Sequence, residues 1–429
     1  MVGVDDWTEP GCANDSRAMH PLATRKPPAL RGTRRFRPNF GLRICAAIFA
    51  AFTPMLASAL SIDVETTPSG DVFPALELSQ SATDPATSER LGSGLLRVRV
   101  EGVRMPRSIR LTISTPGLVV PTVVDARLDR DTVLRPRLDW DVENLRSLVA
   151  PRTQILRVTL SADGMKTLTR ELAIRVHPLD EALYFVHEGG ARIDLGWAFA
   201  AWVDPQHPVV DELLAMAGIE APAQHLPAPV RSERLRQVRA LWTALEQRGL
   251  RYADEGAGIS QGPVIYSQRV RLLSTTWNER VANCLDGSVL IASALERLGI
   301  GSFLVLVPGH AFVGFYTDEG RREAEFLETT LLGFRKPMQR SAQVESDEQI
   351  RQRALAGFEA ARRAGKTRYR SVVPRLDGQH RPDYALVDIS TARAYGIMPL
   401  AVGRGDIRAG APLITSAPVS RRRSHSHSP

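Results

Sequence analysis

Three side-chain types in this chain could together run nucleophilic chemistry: a cysteine, a histidine and a carboxylate, in that order. Cys284 stands at the mouth of the apolar stretch ANCLDGSVLIASALERLGI (282–300), directly after Asn283. An inert cysteine behaves as a small apolar residue and belongs inside such a run. At a helix N-terminus, unpaired N–H groups and the macrodipole stabilise negative charge. The thiolate is the nucleophile, and such a position favours it over an ordinary thiol of pKa about 8.5. A nearby imidazole then handles the proton, and a carboxylate orients the imidazole.

The elements around Cys284 must bring those partners in. The segment GIGSFLVLVPGHAFVGFYTDEGRREAEFLETT (299–330) reads as a helix stop at Gly299, a buried strand SFLVLV, and a hairpin of HAFVGFY and EAEFLE about Asp318-Glu319-Gly320. With the turn centred on Glu319, His310 and Glu328 stand directly opposite each other, their Cβ atoms about 4.5–5.5 Å apart on one face. Phe312 and Phe326 share that face, and a one-residue slip would separate the pair. Glu325 faces the other way. Cys284, His310 and Glu328 thus fit nucleophile, base and orienter. Gln268 in YSQRVRL and the Cys284 backbone N–H are candidate oxyanion donors. Asp286 reads as structural at the helix start, and Trp277 as packing. The same three types could hold zinc, but no compact ligand pair accompanies them. No metal or cofactor is expected.

Other histidines find no such partners: His177, His187, His207, His225 and His380 read as structural or exposed. His425 and His427 read as part of a solvated tail.

Upstream, LLRVRVEG, SIRLTIS, TVVDARLD, QILRVTLSADG and KTLTRELAIRV alternate apolar and polar residues between turns. Ser161-Ala162-Asp163-Gly164 is a hairpin turn, and Trp140 a core aromatic. These strands predict an antiparallel β-sandwich of immunoglobulin-like type over 94–185. Helical spacing follows in LGWAFAAWV, PVVDELLAMAG and RSERLRQVRALWTALEQRG, the last with Ser232 as N-cap and Gly249 as stop. A Gly/Ser-rich loop spans 254–267, and another amphipathic helix 345–365. The fold class expected is α+β, with 1–59 as signal and N-terminal extension, 60–93 as linker or edge structure, 94–185 as sandwich, 186–400 as the domain carrying Cys284, and 401–429 as a disordered basic tail.

The formal net charge is +8. The segment 1–59 holds eight basic and four acidic residues, and 401–429 holds five basic and one acidic, so the body between is neutral. A nucleic-acid footprint would lie on the folded part, so nucleic acid is discounted. The run ICAAIFAAFTPMLASAL after RGTRRFRPNFGLR, with Ala57-Ser58-Ala59 at its end, is a secretory signal cut after Ala59, the alternative being an uncleaved membrane anchor. The long lead before the basic block leaves Met19 as an alternative start. Of the three cysteines, Cys12 and Cys45 leave with the signal, and Cys284 remains alone.

NCLDGSVLIASALERLGI, VLVPGHAFVGF and FLETT together resemble the bacterial transglutaminase-like superfamily over about 180–340, most strongly over 277–330. The resemblance implies a papain-like fold with Cys284 as nucleophile, His310 as base and Glu328 as third member. The family usually has aspartate there, so the extra methylene puts the reach of the triad in question. It also implies a bacterial envelope setting and a periplasmic location. The function expected is an exported cysteine enzyme that acts on amide bonds of a protein or peptide through a thioester, a peptidase or amidase before a crosslinking enzyme. The alternative is a non-catalytic cell-envelope binding module on the same fold.

Overall fold

A computed structural model describes residues 60–68, 70–80, 94–220, 230–254, 259–261, 264–333, 346–400 and 402. The expected signal, nearly all of the basic tail, His225, His425 and His427, and part of the 254–267 loop lie outside these residues. The described residues, all from Leu60 onward, form one compact unit of mixed helix and strand.

Alternation builds the first half. Its strands are β1 (Ser61–Thr66), β2 (Asp71–Val72), β3 (Leu96–Glu101), β4 (Arg107–Thr115), β5 (Val119–Leu128), β6 (Thr132–Leu134), β7 (Asp139–Trp140), β8 (Arg152–Ala162) and β9 (Leu168–Val176). They make a six-stranded sheet in the order β2-β9-β8-β4-β5-β7 and a three-stranded sheet in the order β1-β3-β6. Ile109, Leu111 and Ile113 of β4, Leu156, Val158 and Leu160 of β8, and Val98 and Val100 of β3 enter one buried cluster. Side chains one position along face outward, as a period of two requires. The expected turn joins β8 to β9, with Gly164 at φ 72°.

Two boundaries differ from the sequence reading. The stretch 60–93 is not simply a linker: it holds β1, β2 and helix α1 (Pro74–Ser79). Its Ser/Thr/Pro content hid an apolar inward face of Ile62 and Val64 on β1, paired with β3. Glu77 of α1 is buried and accepts hydrogen bonds from Trp140 Nε1 (2.9 Å) and Leu138 N–H (3.1 Å). The second difference lies at 185/186, which falls inside β10 (Glu181–Glu188). That strand pairs with β14 (Ile265–Arg269) of the second half. Alternation marks a strand but does not name its partner.

His177, just past β9, has partners that the sequence reading did not find. Its Nε2 lies 2.7 Å from Asp71 Oδ1 and its Nδ1 lies 3.0 Å from Glu181 Oε1. Phe73 stacks on the ring at 3.9 Å. Glu181 lies four residues after His177, but Asp71 is over a hundred residues before it, so local spacing could not reveal the whole cluster.

In the second half, β10, β11 (Ala191–Asp194), β13 (Ile259–Gln261) and β14 (Ile265–Arg269) form a sheet in the order β11-β10-β14-β13. The short β12 (Arg251–Tyr252) and β15 (Val281–Ala282) pair in parallel. The sheet that carries the site has the order β18-β17-β16-β19, from β16 (Ser302–Val307), β17 (His310–Tyr316), β18 (Ala324–Leu327) and β19 (Ala385–Asp388). LGWAFAAWV winds into a 3₁₀ helix over Gly196–Trp202. After α2 (Val142–Arg146) come α3 (Pro208–Met216) and α4 (Arg231–Arg248). α4 starts before the expected cap Ser232, at Val230, and stops at Gly249 with φ 79° as read.

Next are α5 (Leu273–Glu279) and α6 (Cys284–Arg297), with nearly all of α6 buried. Its Val289, Leu290, Ile291 and Leu295 join the main core beside Ala311, Val313 and Phe315 of β17. α7 (Asp347–Val372) outruns the expected 345–365, opening on a capping box of Ser346 and Gln349. It buries Ala354, Phe358, Ala361 and Gly365 along one face. Burying one side chain such as Phe358 is worth about 1.5–3 kcal/mol. The last helix is α8 (Ile389–Ala394). Among the described residues no helix is long and apolar enough to cross a membrane.

Candidate active site

Cys284 is the first residue of α6, and the cap explains its placement. The Asn283 side chain accepts from the N–H groups of Leu285 and Asp286, each at 2.8 Å. Asp286 answers by accepting from Asn283 N–H at 3.1 Å. This reciprocal box fixes the helix start and leaves the Cys284 N–H outside it. Asp286 also accepts from the Arg271 N–H (2.8 Å) and Nη1 (2.9 Å). Its charge is therefore paired, and it serves the cap rather than opposing a thiolate. Cys284 itself is partly buried. Its carbonyl accepts from Ser288 Oγ (2.6 Å) and Thr329 Oγ1 (3.0 Å). Gly287 allows that approach, since a Cβ there would lie 3.0 Å from Thr329 Cβ.

His310 opens β17, and Glu328 directly follows β18. The hairpin register differs from the one expected. Val313 pairs with Leu327, Gly314 with Phe326 and Phe315 with Glu325. The turn is therefore centred on Gly320, and Glu328 falls diagonal to His310 instead of opposite. The Asp318 carboxylate causes the shift by accepting from the N–H groups of Arg322 (3.0 Å) and Glu323 (2.8 Å), with Arg321 at φ 54°. The shift changes the pairing by two residues, an even number, so both side chains keep their common face. The diagonal gap suits the longer glutamate: His310 Nε2 lies 2.8 Å from Glu328 Oε2. Phe312 and Phe326 share this face as expected, their ring centroids 6.3 Å apart.

The imidazole is bridged. Burial alone would push the His310 pKa down, but hydrogen bonds to the Cys284 side chain and to Glu328 outweigh it and push it up to about 9. His310 is then charged at neutral pH, and both ring nitrogens donate. Nε2 faces Glu328, and the Cys284 side chain lies close enough to the ring to help raise its pKa. Burial would raise the Glu328 carboxyl, but the His310 hydrogen bond and the His310 and Arg368 charges hold it below its ordinary range. Glu328 Oε1 is occupied separately, by Thr330 N–H (3.3 Å) and Thr330 Oγ1 (2.9 Å).

Other candidates lie elsewhere. Gln268 is on β14, and its Nε2 donates to the Arg269 carbonyl at 3.1 Å. None of its described contacts reaches Cys284, His310 or Glu328. Glu325, on the opposite face as read, pairs with Arg362 (3.1 Å) and Arg231 (3.3 Å). Trp277 is fully buried and donates to Glu212 at 3.0 Å. His207 caps α3 through Val209 N–H, His380 pairs with Asp377 at 3.1 Å, and His187 packs edge-on to Tyr266. Among the described residues no group of three or more His, Cys, Asp and Glu side chains is arranged to hold a metal ion.

Sequence reasoning missed Thr329, Thr330 and Arg368. The first two follow Glu328 directly and could have been found by asking what holds its second oxygen. Arg368 lies 40 residues further on in α7, and only packing reveals it.

No family model matches this sequence, and no curated protein matches it. The function therefore rests on geometry. A sulfur at a helix start, a histidine beside it and a buried carboxylate behind are the side-chain types that can act as a nucleophile with its proton carrier.

Proposed function

We propose that the chain is an exported cysteine enzyme that cleaves amide bonds of a protein or peptide, possessing a transglutaminase-like, papain-like core behind an immunoglobulin-like sandwich. The bridging of His310 between Cys284 and buried Glu328 carries this reading. The Cys284 sulfur attacks the amide carbonyl carbon, a C–S bond forms, and the carbonyl electron pair moves onto oxygen. The Cys284 N–H, outside the capping box, is a donor for that oxyanion. The tetrahedral adduct collapses, the C–N bond breaks, and His310 gives its proton to the leaving amine. The resulting thioester is opened by water, with His310 taking the water proton, to yield a carboxylate and the free thiol. An amine in place of water would give crosslinking. Glu328 keeps the ring aligned and offsets its charge throughout.

The periplasmic location and the envelope nature of the substrate rest on the sequence of the leader and on the family resemblance. A library of peptide amides incubated with the full chain tests the activity. The expected result is new amino termini, with a thioester adduct at Cys284 after acid quench, both absent from Cys284→Ala. Cleavage that persists in Cys284→Ala would overturn the proposal. A folded, inert protein that captures an envelope peptide would instead mark it as a binding module.

A further inference from the structure

We infer that Arg368 is a positioning residue that lets a glutamate serve as third member of the site, an inference that rests on the triad reading above. A glutamate carboxylate has one more rotatable bond to fix than an aspartate. Here each oxygen is separately held. Thr330 takes Oε1, while Oε2 is shared between His310 Nε2 at 2.8 Å and Arg368 Nε at 3.1 Å. Removing Arg368 would leave the His310 hydrogen bond as the sole described restraint on Oε2.

The helix that carries Arg368 is built to deliver it. Ala361, Gly365 and Arg368 fall at i, i+4 and i+7 on α7, one face of the helix. The Ala361 carbonyl accepts the Glu328 N–H at 3.1 Å. A Cβ on Gly365 would lie 3.0 Å from Leu327 N and Phe326 C, so only glycine lets the helix lie this close to β18. Tyr369 stacks on Phe326 at 4.1 Å. Glu325 has arginines of its own, Arg362 and Arg231, so it does not compete for Arg368 in the described contacts. The planar guanidinium holds a carboxylate oxygen in a direction that a lysine ammonium does not fix.

The test uses the full chain in five forms: wild type, Arg368→Gln, Arg368→Lys, Glu328→Gln and the Glu328→Gln/Arg368→Gln double variant. Two quantities are read: the iodoacetamide rate at Cys284, resolved by peptide mass spectrometry, and the His310 ring-proton titration, assigned by its loss in His310→Ala. In Arg368→Gln the rate near pH 7 is expected to fall about tenfold, in the range set by partners that orient reactive groups. The His310 midpoint is expected to rise by roughly half a unit to one unit, because a nearby positive charge is lost. Unfolding would lower that midpoint, so the direction separates positioning from mere structural support. Arg368→Lys is expected to keep the midpoint but not the rate, and it carries the test if the glutamine variant does not fold. In the Glu328→Gln background, removing Arg368 is expected to leave the rate unchanged, while the midpoint still rises because the positive charge is lost. A wild-type rate in the lysine variant, or an equal loss with and without Glu328, would overturn the inference. A rate that depends on His310 but not on Arg368 overturns this inference alone. A rate indifferent to His310 overturns the triad, and the role of Arg368 with it.

Discussion

His177 and His310 are both buried imidazoles held by carboxylates, yet their surroundings lead to opposite chemistry. At His177 both ring nitrogens face carboxylates, Asp71 and Glu181, beneath the Phe73 ring, and the side chain is 1% exposed. At His310 Nε2 faces Glu328, the other nearby partner is the Cys284 side chain, and the side chain is 15% exposed. Raised imidazole pKa values occur at both, through the same kinds of cause. What separates them is the second partner and access. A carboxylate on each side makes an ion cluster that pins β2, β9 and β10 together. A thiol on one side, at the start of α6, makes a proton carrier.

That contrast can be broken by mutation, with the largest effect on stability. His177→Ala leaves two carboxylates buried beside each other, only one of them paired with Arg175. It should cost about 3 kcal/mol, seen as a lower urea midpoint at unchanged slope. At about pH 9.5, above its folded pKa of about 9, His310→Ala should cost within about 1 kcal/mol. Equal losses at both sites would erase the distinction.

Glu328 tests the carboxylate behind the reactive histidine. Glu328→Gln should lower the His310 midpoint from about 9 toward the ordinary value and slow Cys284 alkylation about tenfold. Glu328→Asp draws the carboxylate back by about 1.5 Å, the length of one C–C bond. That stretches the 2.8 Å contact to His310 beyond hydrogen-bond range. A severalfold slower alkylation is therefore expected, although aspartate is usual at the third position in the family this chain resembles. A faster aspartate variant would show that the site is not built for glutamate.

A further effect is on pH-dependent stability. The folded His310 pKa, about 9, lies above the unfolded value of about 6.5. Its contribution is full below about pH 6.5 and is lost as pH rises through about 9. Glu328, lowered in the folded state, contributes above the ordinary carboxyl pKa and loses that contribution as pH falls. The urea-midpoint gap between wild type and His310→Ala should therefore narrow between about pH 6.5 and 9.5. A gap that stays constant across that window would count against the bridged imidazole.

Local pattern carried the sequence reading to α6, to Cys284 at its start, and to the common face of His310 and Glu328. The face survived a wrong turn centre because the error in pairing was even. The turn itself depended on the Asp318 side chain catching two N–H groups, which alternation does not encode. What escaped needed tertiary partners. β10 pairs with β14, some 80 residues away, through a register shift between Leu183 and Phe185 that a strict alternation does not show. Asp71 and His177 are far apart in sequence, and so are Glu328 and Arg368. The stretch 60–80 hid because Ser, Thr and Pro break up its buried Leu60, Ile62, Val72, Phe73 and Leu76, so no run of alternation marks its short elements.

The most direct measurement is the pH dependence of iodoacetamide alkylation at Cys284 in the full chain, resolved by peptide mass spectrometry, beside His310→Ala and His177→Ala. An activated thiol predicts fast reaction near pH 7 that falls by about a hundredfold in His310→Ala. It also predicts wild-type behaviour in His177→Ala under conditions where that variant is folded. Rates that follow an ordinary thiol in all three proteins, or no reaction while they are folded, would contradict the triad as a chemical device.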